Sequence, residues 1–120
     1  MHKILAISDD ESLLTTRAAV LRKTNAQVTT ATARQAKKIL KSRKFDLVVL
    51  CQSLDVDETI EIASLAHHQT IAVPVLCVVA NAVPISEWRF IAPDSVASSD
   101  PRILVERVAE LLRVSQLGVN

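Results

Sequence analysis

Short apolar runs recur along the chain at regular intervals. Ile4 to Ile7, Leu47 to Leu50 and, apart from Pro74, Val73 to Val79 are continuous stretches without polar alternation. Runs of this length predict strands buried on both faces. Between them the period lengthens to that of a helix. Leu14, Ala18 and Leu21 share one face of a first helix, which stops at Lys23-Thr24-Asn25, where asparagine takes the left-handed cap that glycine usually supplies. A second helix opens with Thr32-x-x-Gln35, a capping-box pattern, and buries Ala36, Ile39 and Leu40. A third runs from about Asp57 to Ala66 with Thr59, Ile62, Ala63 and Ala66 on one stripe. The last begins at Asp100-Pro101, an N-cap followed by proline at the first helical position, and turns Leu104, Val108, Leu111 and Leu112 inward. Gln27 to Ala31 supplies a second strand and Ser95 to Ser98 a fifth.

Strand and helix thus alternate from end to end, which specifies a parallel sheet covered by helices on both faces. Sites in open sheets of this kind form at the carboxyl ends of the strands. Those ends are Ser8 to Glu11, Cys51 to Asp55, Val79 to Ala82 and Ser98 to Asp100. With 120 residues and no internal repeat or linker, the chain reads as one domain over residues 1–120.

Composition removes several classes of function. The one glycine is Gly118, so no glycine-rich phosphate loop or Gly-x-Ser-x-Gly nucleophile elbow can be built. Two cysteines, Cys51 and Cys77, make neither a four-ligand zinc site nor a disulfide framework, and suit a reducing cytoplasm. The N-terminus does not read as a signal peptide, since Asp9, Asp10 and Glu11 follow only four apolar residues. The longest apolar stretch, Ile71 to Ala80, is about half of the roughly 20 residues a spanning helix needs. At 2% aromatic residues, a stacking platform for single-stranded nucleic acid has almost nothing to be built from.

Four segments in order, Lys3-Ile4-Leu5-Ala6-Ile7-Ser8-Asp9-Asp10-Glu11, Phe45-Asp46-Leu47-Val48-Val49-Leu50, Val73-Pro74-Val75-Leu76 and Asp100-Pro101, carry a resemblance. Together, at these distances, they resemble the receiver domain of two-component response regulators over nearly the whole chain. The resemblance implies a doubly wound five-stranded parallel sheet of flavodoxin-like order 2-1-3-4-5 with helices on both faces. It also implies a fourth helix shorter than the family's, over residues 83–90. Family chemistry is phosphoryl transfer from a histidine kinase to an aspartate ending the third strand, with magnesium held by an acidic pair after the first.

This sequence departs from the family at those positions. Aligned without gaps, the acceptor aspartate falls on Cys51, the switch hydroxyl on Val79 and the switch lysine on Ser98. The first acid of the pair falls on Ser8 and the second on Asp9, whereas a slip of one residue restores the pair as Asp9 and Asp10. A vestigial magnesium site at Asp9 and Asp10, and weak magnesium binding there, is the most these residues offer; no other cofactor is implied. The resemblance therefore implies a degenerate receiver, or pseudo-receiver, that is not an enzyme and is not switched by aspartyl phosphate.

Plainer readings stand beside these. Asp9, Asp10 and Glu11 suit a helix N-terminus, and Ser8-x-x-Glu11 is itself a capping box. Cys51 reads as a small buried hydrophobe, against a rival in which a helix N-terminus lowers its pKa and makes it a redox switch. Cys51 and Cys77 lie on neighbouring strands but offset in register, which disfavours a disulfide. His67-His68 close the third helix as a solvated end. Trp88 either plugs the core or anchors a partner.

Charge completes the picture. The formal +1 conceals a net of +9 over residues 12–45, from Arg17, Arg22, Lys23, Arg34, Lys37, Lys38, Lys41, Arg43 and Lys44 with no acid among them. Asp46, Asp55, Asp57, Glu58 and Glu61 then follow with no base before residue 67. Either helices two and three exchange surface ion pairs, or a polar surface docks a partner. The reading favoured is a protein-contact module in a two-component or phosphorelay pathway, its working face at Arg34, Lys37, Lys38 and Lys41 or around Trp88. The partner would be another signalling protein or a second copy in a homodimer. Behind it stand a phosphorylatable receiver using an unconventional acid, a Cys51 redox switch and, last, a nucleic-acid adaptor, for which no groove-reading motif is present.

Overall fold

The computed structural model describes residues 2–51, 56–69, 72–79, 95–98 and 100–117. Strands β1 (Lys3–Ile7), β2 (Gln27–Ala31), β3 (Leu47–Leu50), β4 (Val75–Val79) and β5 (Ser95–Ser98) alternate with helices α1 (Glu11–Leu21), α2 (Ala33–Ser42), α3 (Val56–His67) and α4 (Pro101–Leu117). The strands lie parallel in one sheet of order β2-β1-β3-β4-β5. This is the α/β arrangement expected from the alternation. Trp88, the shortened helix expected over 83–90, Asp55 and Gly118 lie outside the described residues.

The apolar runs read as they do because the sheet has two cores. Leu5, Ile7, Val48 and Leu50 pack under α2 and α3, with Ala36, Leu40 and Ile62. Ile4, Ala6, Leu47 and Val49 point to the opposite face and meet Leu21, Leu104, Val108 and Leu112 of α1 and α4. Successive strand residues alternate between faces, so a strand covered on both sides needs apolar residues at every position.

Two chain reversals are set by individual side chains. After α1 a 3-10 turn (Arg22–Thr24) leads to Asn25 at φ 62 and ψ 21, the one positive-φ residue among those described. Asparagine tolerates this left-handed region because its short polar side chain bonds locally. At α2 the capping box is complete: the Gln35 N–H donates to Thr32 Oγ1 at 3.2 Å, and the Thr32 N–H donates to Gln35 Oε1 at 3.0 Å. Thr32→Ala should lower unfolding free energy by about 1 kcal/mol, read from urea denaturation as a lower midpoint at unchanged slope. A change smaller than a few tenths would mean that α2 does not depend on its cap.

Candidate functional site at the carboxyl ends of the strands

The parallel sheet brings its strand ends together at one edge. Ile7 of β1 is in register with Leu50 of β3, so Ser8 and Cys51 are the next residues of neighbouring strands, and the Cys51 N–H donates to the Ile7 carbonyl at 3.0 Å. Val79 and Ser98, the last residues of β4 and β5, are register partners on the far side. The sequence thus placed Ser8, Cys51, Val79 and Ser98 at the same edge.

The acids after β1 serve as helix caps. The N-cap of α1 is Asp10, whose Oδ1 accepts the Leu13 N–H at 3.1 Å. This corrects the Ser8-Glu11 capping box read from sequence. Ser8 still follows the strand, donating its N–H to the Ala31 carbonyl at 3.1 Å, and its Oγ accepts the Asp10 N–H at 3.0 Å. Asp9 turns to a different helix, its Oδ1 accepting the Ala33 N–H at the start of α2 at 3.0 Å. Each carboxylate is therefore favoured by a helix N-terminus.

Cys51 faces α1. Leu50 points with Cys77 into the core under α2 and α3, so the next residue points to the other side of the sheet. Both cysteines are buried and neither forms a disulfide, as expected from their offset register. There Cys51, 3% exposed, meets Arg17 of α1, itself 5% exposed, whose guanidinium hydrogen-bonds the thiol. Burial pushes the thiol from its ordinary 9.0 up to about 11, while the charge and hydrogen bond of Arg17 pull it down by less. The lowered pKa that a redox switch at Cys51 needs is thus reversed, because loss of water outweighs the neighbouring cation.

Arg17 is the residue sequence reasoning missed, having been counted among the cations of residues 12–45. The signal was present: Leu13 and Leu14 lie four and three positions before it, and Val20 and Leu21 three and four after. Those spacings put Arg17 on the apolar stripe of α1, inside the fold.

These residues fit a magnesium ion poorly. Magnesium needs near-octahedral oxygen ligation. Here Asp9 and Asp10 each commit an oxygen to a backbone N–H of a different helix, and Cys51 presents a protonated thiol beside a guanidinium. Among the described residues no three His, Cys, Asp or Glu side chains cluster so as to hold a metal.

The cations of α2 divide by direction. Lys37 reaches across to Glu61 of α3 at 3.0 Å, the inter-helix ion pair anticipated from the charge pattern. Arg34, Lys38 and Lys41 are exposed and, spaced by four and three residues, form one outward stripe. No described helix is long and apolar enough to cross a membrane.

No protein-family profile matches the chain, and no curated protein matches it. Solved structures do. The chain is similar to a CheY-like response regulator receiver domain protein from Methanospirillum hungatei, at 21% identity and a TM-score of 0.81, over 98% of each chain. It is also similar to the receiver domain of a sensor histidine kinase from Pseudomonas aeruginosa, which has a magnesium ion coordinated in its active-site cleft; identity is 18% and TM-score 0.78, over 93% of this chain and 98% of that one. The chemotaxis response regulator CheY4 of Vibrio cholerae gives 18% and 0.78, over 92% and 98%. At these identities the likeness is one of fold: the chain folds as receiver domains do.

Proposed function

We propose that this chain, built on the receiver fold, is a single receiver-like unit over residues 1–120 that acts by protein contact in a two-component pathway and does not use aspartyl phosphate. One observation carries the reading: the end of β3, where a receiver needs its acceptor carboxylate, holds a buried thiol hydrogen-bonded to a buried arginine. A protonated thiol is a weak ligand for magnesium and forms no acyl phosphate. Val79 lacks the hydroxyl and Ser98 lacks the ammonium that would register a phosphoryl group at those switch positions. Magnesium at Asp9 and Asp10 would be weak at most, with both carboxylates already serving as caps.

The working face in this reading is the outward stripe Arg34, Lys38 and Lys41, which suits an acidic protein surface, with Lys37 partly committed to Glu61. The region around Trp88 is the second face, and a homodimer through either is compatible with it. The compartment is the cytoplasm, where two buried cysteines outside any disulfide persist.

The test is intact-mass measurement after incubation with acetyl phosphate and magnesium. The expected result is an unchanged mass. A gain of one phosphate, mapped to Asp9, Asp10 or Asp55, would overturn the reading in favour of a receiver with an unconventional acceptor.

A further inference from the structure

One edge of the sheet is β2. Its Gln27 N–H donates to the His2 carbonyl at 2.8 Å, and its Ala31 carbonyl accepts the Ser8 N–H at 3.1 Å, both toward β1. In a parallel ladder the N–H and C=O of one residue point to the same side and successive residues alternate. Val28 and Thr30 therefore direct both backbone groups to the open edge.

Beside this edge runs a groove of about 470 Å³ between β2 and α1. Leu14 and Ala18 of α1 give it an apolar part, and Thr15, Thr30 and Thr32 line it as well. Its ends differ in charge. Asp9 and Glu11 stand where β2 finishes, and Arg22 stands where β2 starts. From Glu11 to Arg22 the helix rises about 16 Å at about 1.5 Å per residue. The five residues of β2 span about 13 Å at about 3.3 Å per residue.

We propose that this edge binds an extended peptide segment of another protein, added antiparallel to β2 as a further strand, with a basic residue on its amino side and an acidic residue four positions later. Antiparallel addition places the peptide's amino side at Asp9 and Glu11 and its carboxyl side at Arg22. It is the stronger pairing and a common way to extend a parallel sheet. Four positions cover the length of β2 and return both charged side chains to the face that looks at α1, where a small apolar residue midway sits over Leu14 and Ala18. The alternation of ends sets peptide direction, and the main-chain bonds at Val28 and Thr30 supply affinity. The groove shares Asp9 with the strand-end acids but uses neither Cys51 nor the α2 stripe, and Glu11 and Arg22 also mark its two ends, so the proposal does not rest on the reading of Cys51.

The test uses a fluorescein-labelled heptapeptide, Thr-Lys-Thr-Val-Thr-Glu-Thr, capped at both ends, against its charge-swapped counterpart with glutamate first and lysine last. Anisotropy titration should show the lysine-first peptide binding at least tenfold more tightly. Thr30→Pro, which removes an outward N–H at an edge position where proline is tolerated, and Arg22→Glu should each weaken it at least tenfold. Should Thr30→Pro fail to fold, N-methylation of alternate peptide amides reads the same bonds: one alternating set should abolish binding and the other leave it unchanged. Equal binding of both peptides, indifference to N-methylation, no binding at millimolar peptide, or sedimentation showing that a second copy already covers β2 would each overturn the proposal.

Discussion

Arg17→Ala should cost about 3 kcal/mol of unfolding free energy, while Arg17→Met should cost less than about 1.5 kcal/mol. Arg17 is 5% exposed and its stem passes through the apolar stripe of α1, so truncation leaves a cavity and withdraws a hydrogen bond from a buried thiol. Methionine restores most of the volume and removes a charge that is costly to bury, a replacement that is often neutral or stabilising. Urea denaturation of the two variants checks this. Equal large losses in both would show that the guanidinium's polar contacts, rather than its volume, hold α1 to the sheet. The pair of variants bears on function too, since Arg17 contacts the thiol that stands where a phosphate-accepting strand end carries its carboxylate.

A second expected result concerns alkaline pH. The Cys51 thiol is pushed up to about 11 in the folded chain from an ordinary 9.0, so the folded state holds its proton where the unfolded state releases it. Its contribution is fully present below about pH 9 and is lost as pH rises through about 11. At about 1.4 kcal/mol per unit the full loss is about 3 kcal/mol. Denaturation midpoints measured from pH 7 to pH 10.5 should fall more steeply in the natural chain than in Cys51→Val, which fills the same space without a titrating group. Parallel curves for the two would show that Cys51 does not titrate differently on folding. The same protonated thiol should alkylate slowly at neutral pH, the opposite of a sensor cysteine.

Much of the fold was legible because local chemistry and tertiary structure agree in it. Asn25 is left-handed where a helix without glycine had to end, and Thr32 and Gln35 form the box their spacing announced. Thr59, Ile62, Ala63 and Ala66 are the buried stripe of α3, and Asp100 Oδ1 accepts the Arg102 N–H at the head of α4. Each depends on residues within four positions of one another, a range over which sequence spacing is geometry.

The strand-end site was legible only in outline. Period and alternation determined that Ser8, Cys51, Val79 and Ser98 end their strands, and resemblance to receivers supplied what those ends would mean. Tertiary structure alone decided how the side chains there are used. Asp9 caps α2, 24 residues away, while its neighbour Asp10 caps α1. Arg17 leaves the basic run for the interior and meets Cys51, 34 positions on. The physical reason is that a sheet face joins residues distant in sequence. A charge gains or loses its water according to what packs over it, and no local pattern records that.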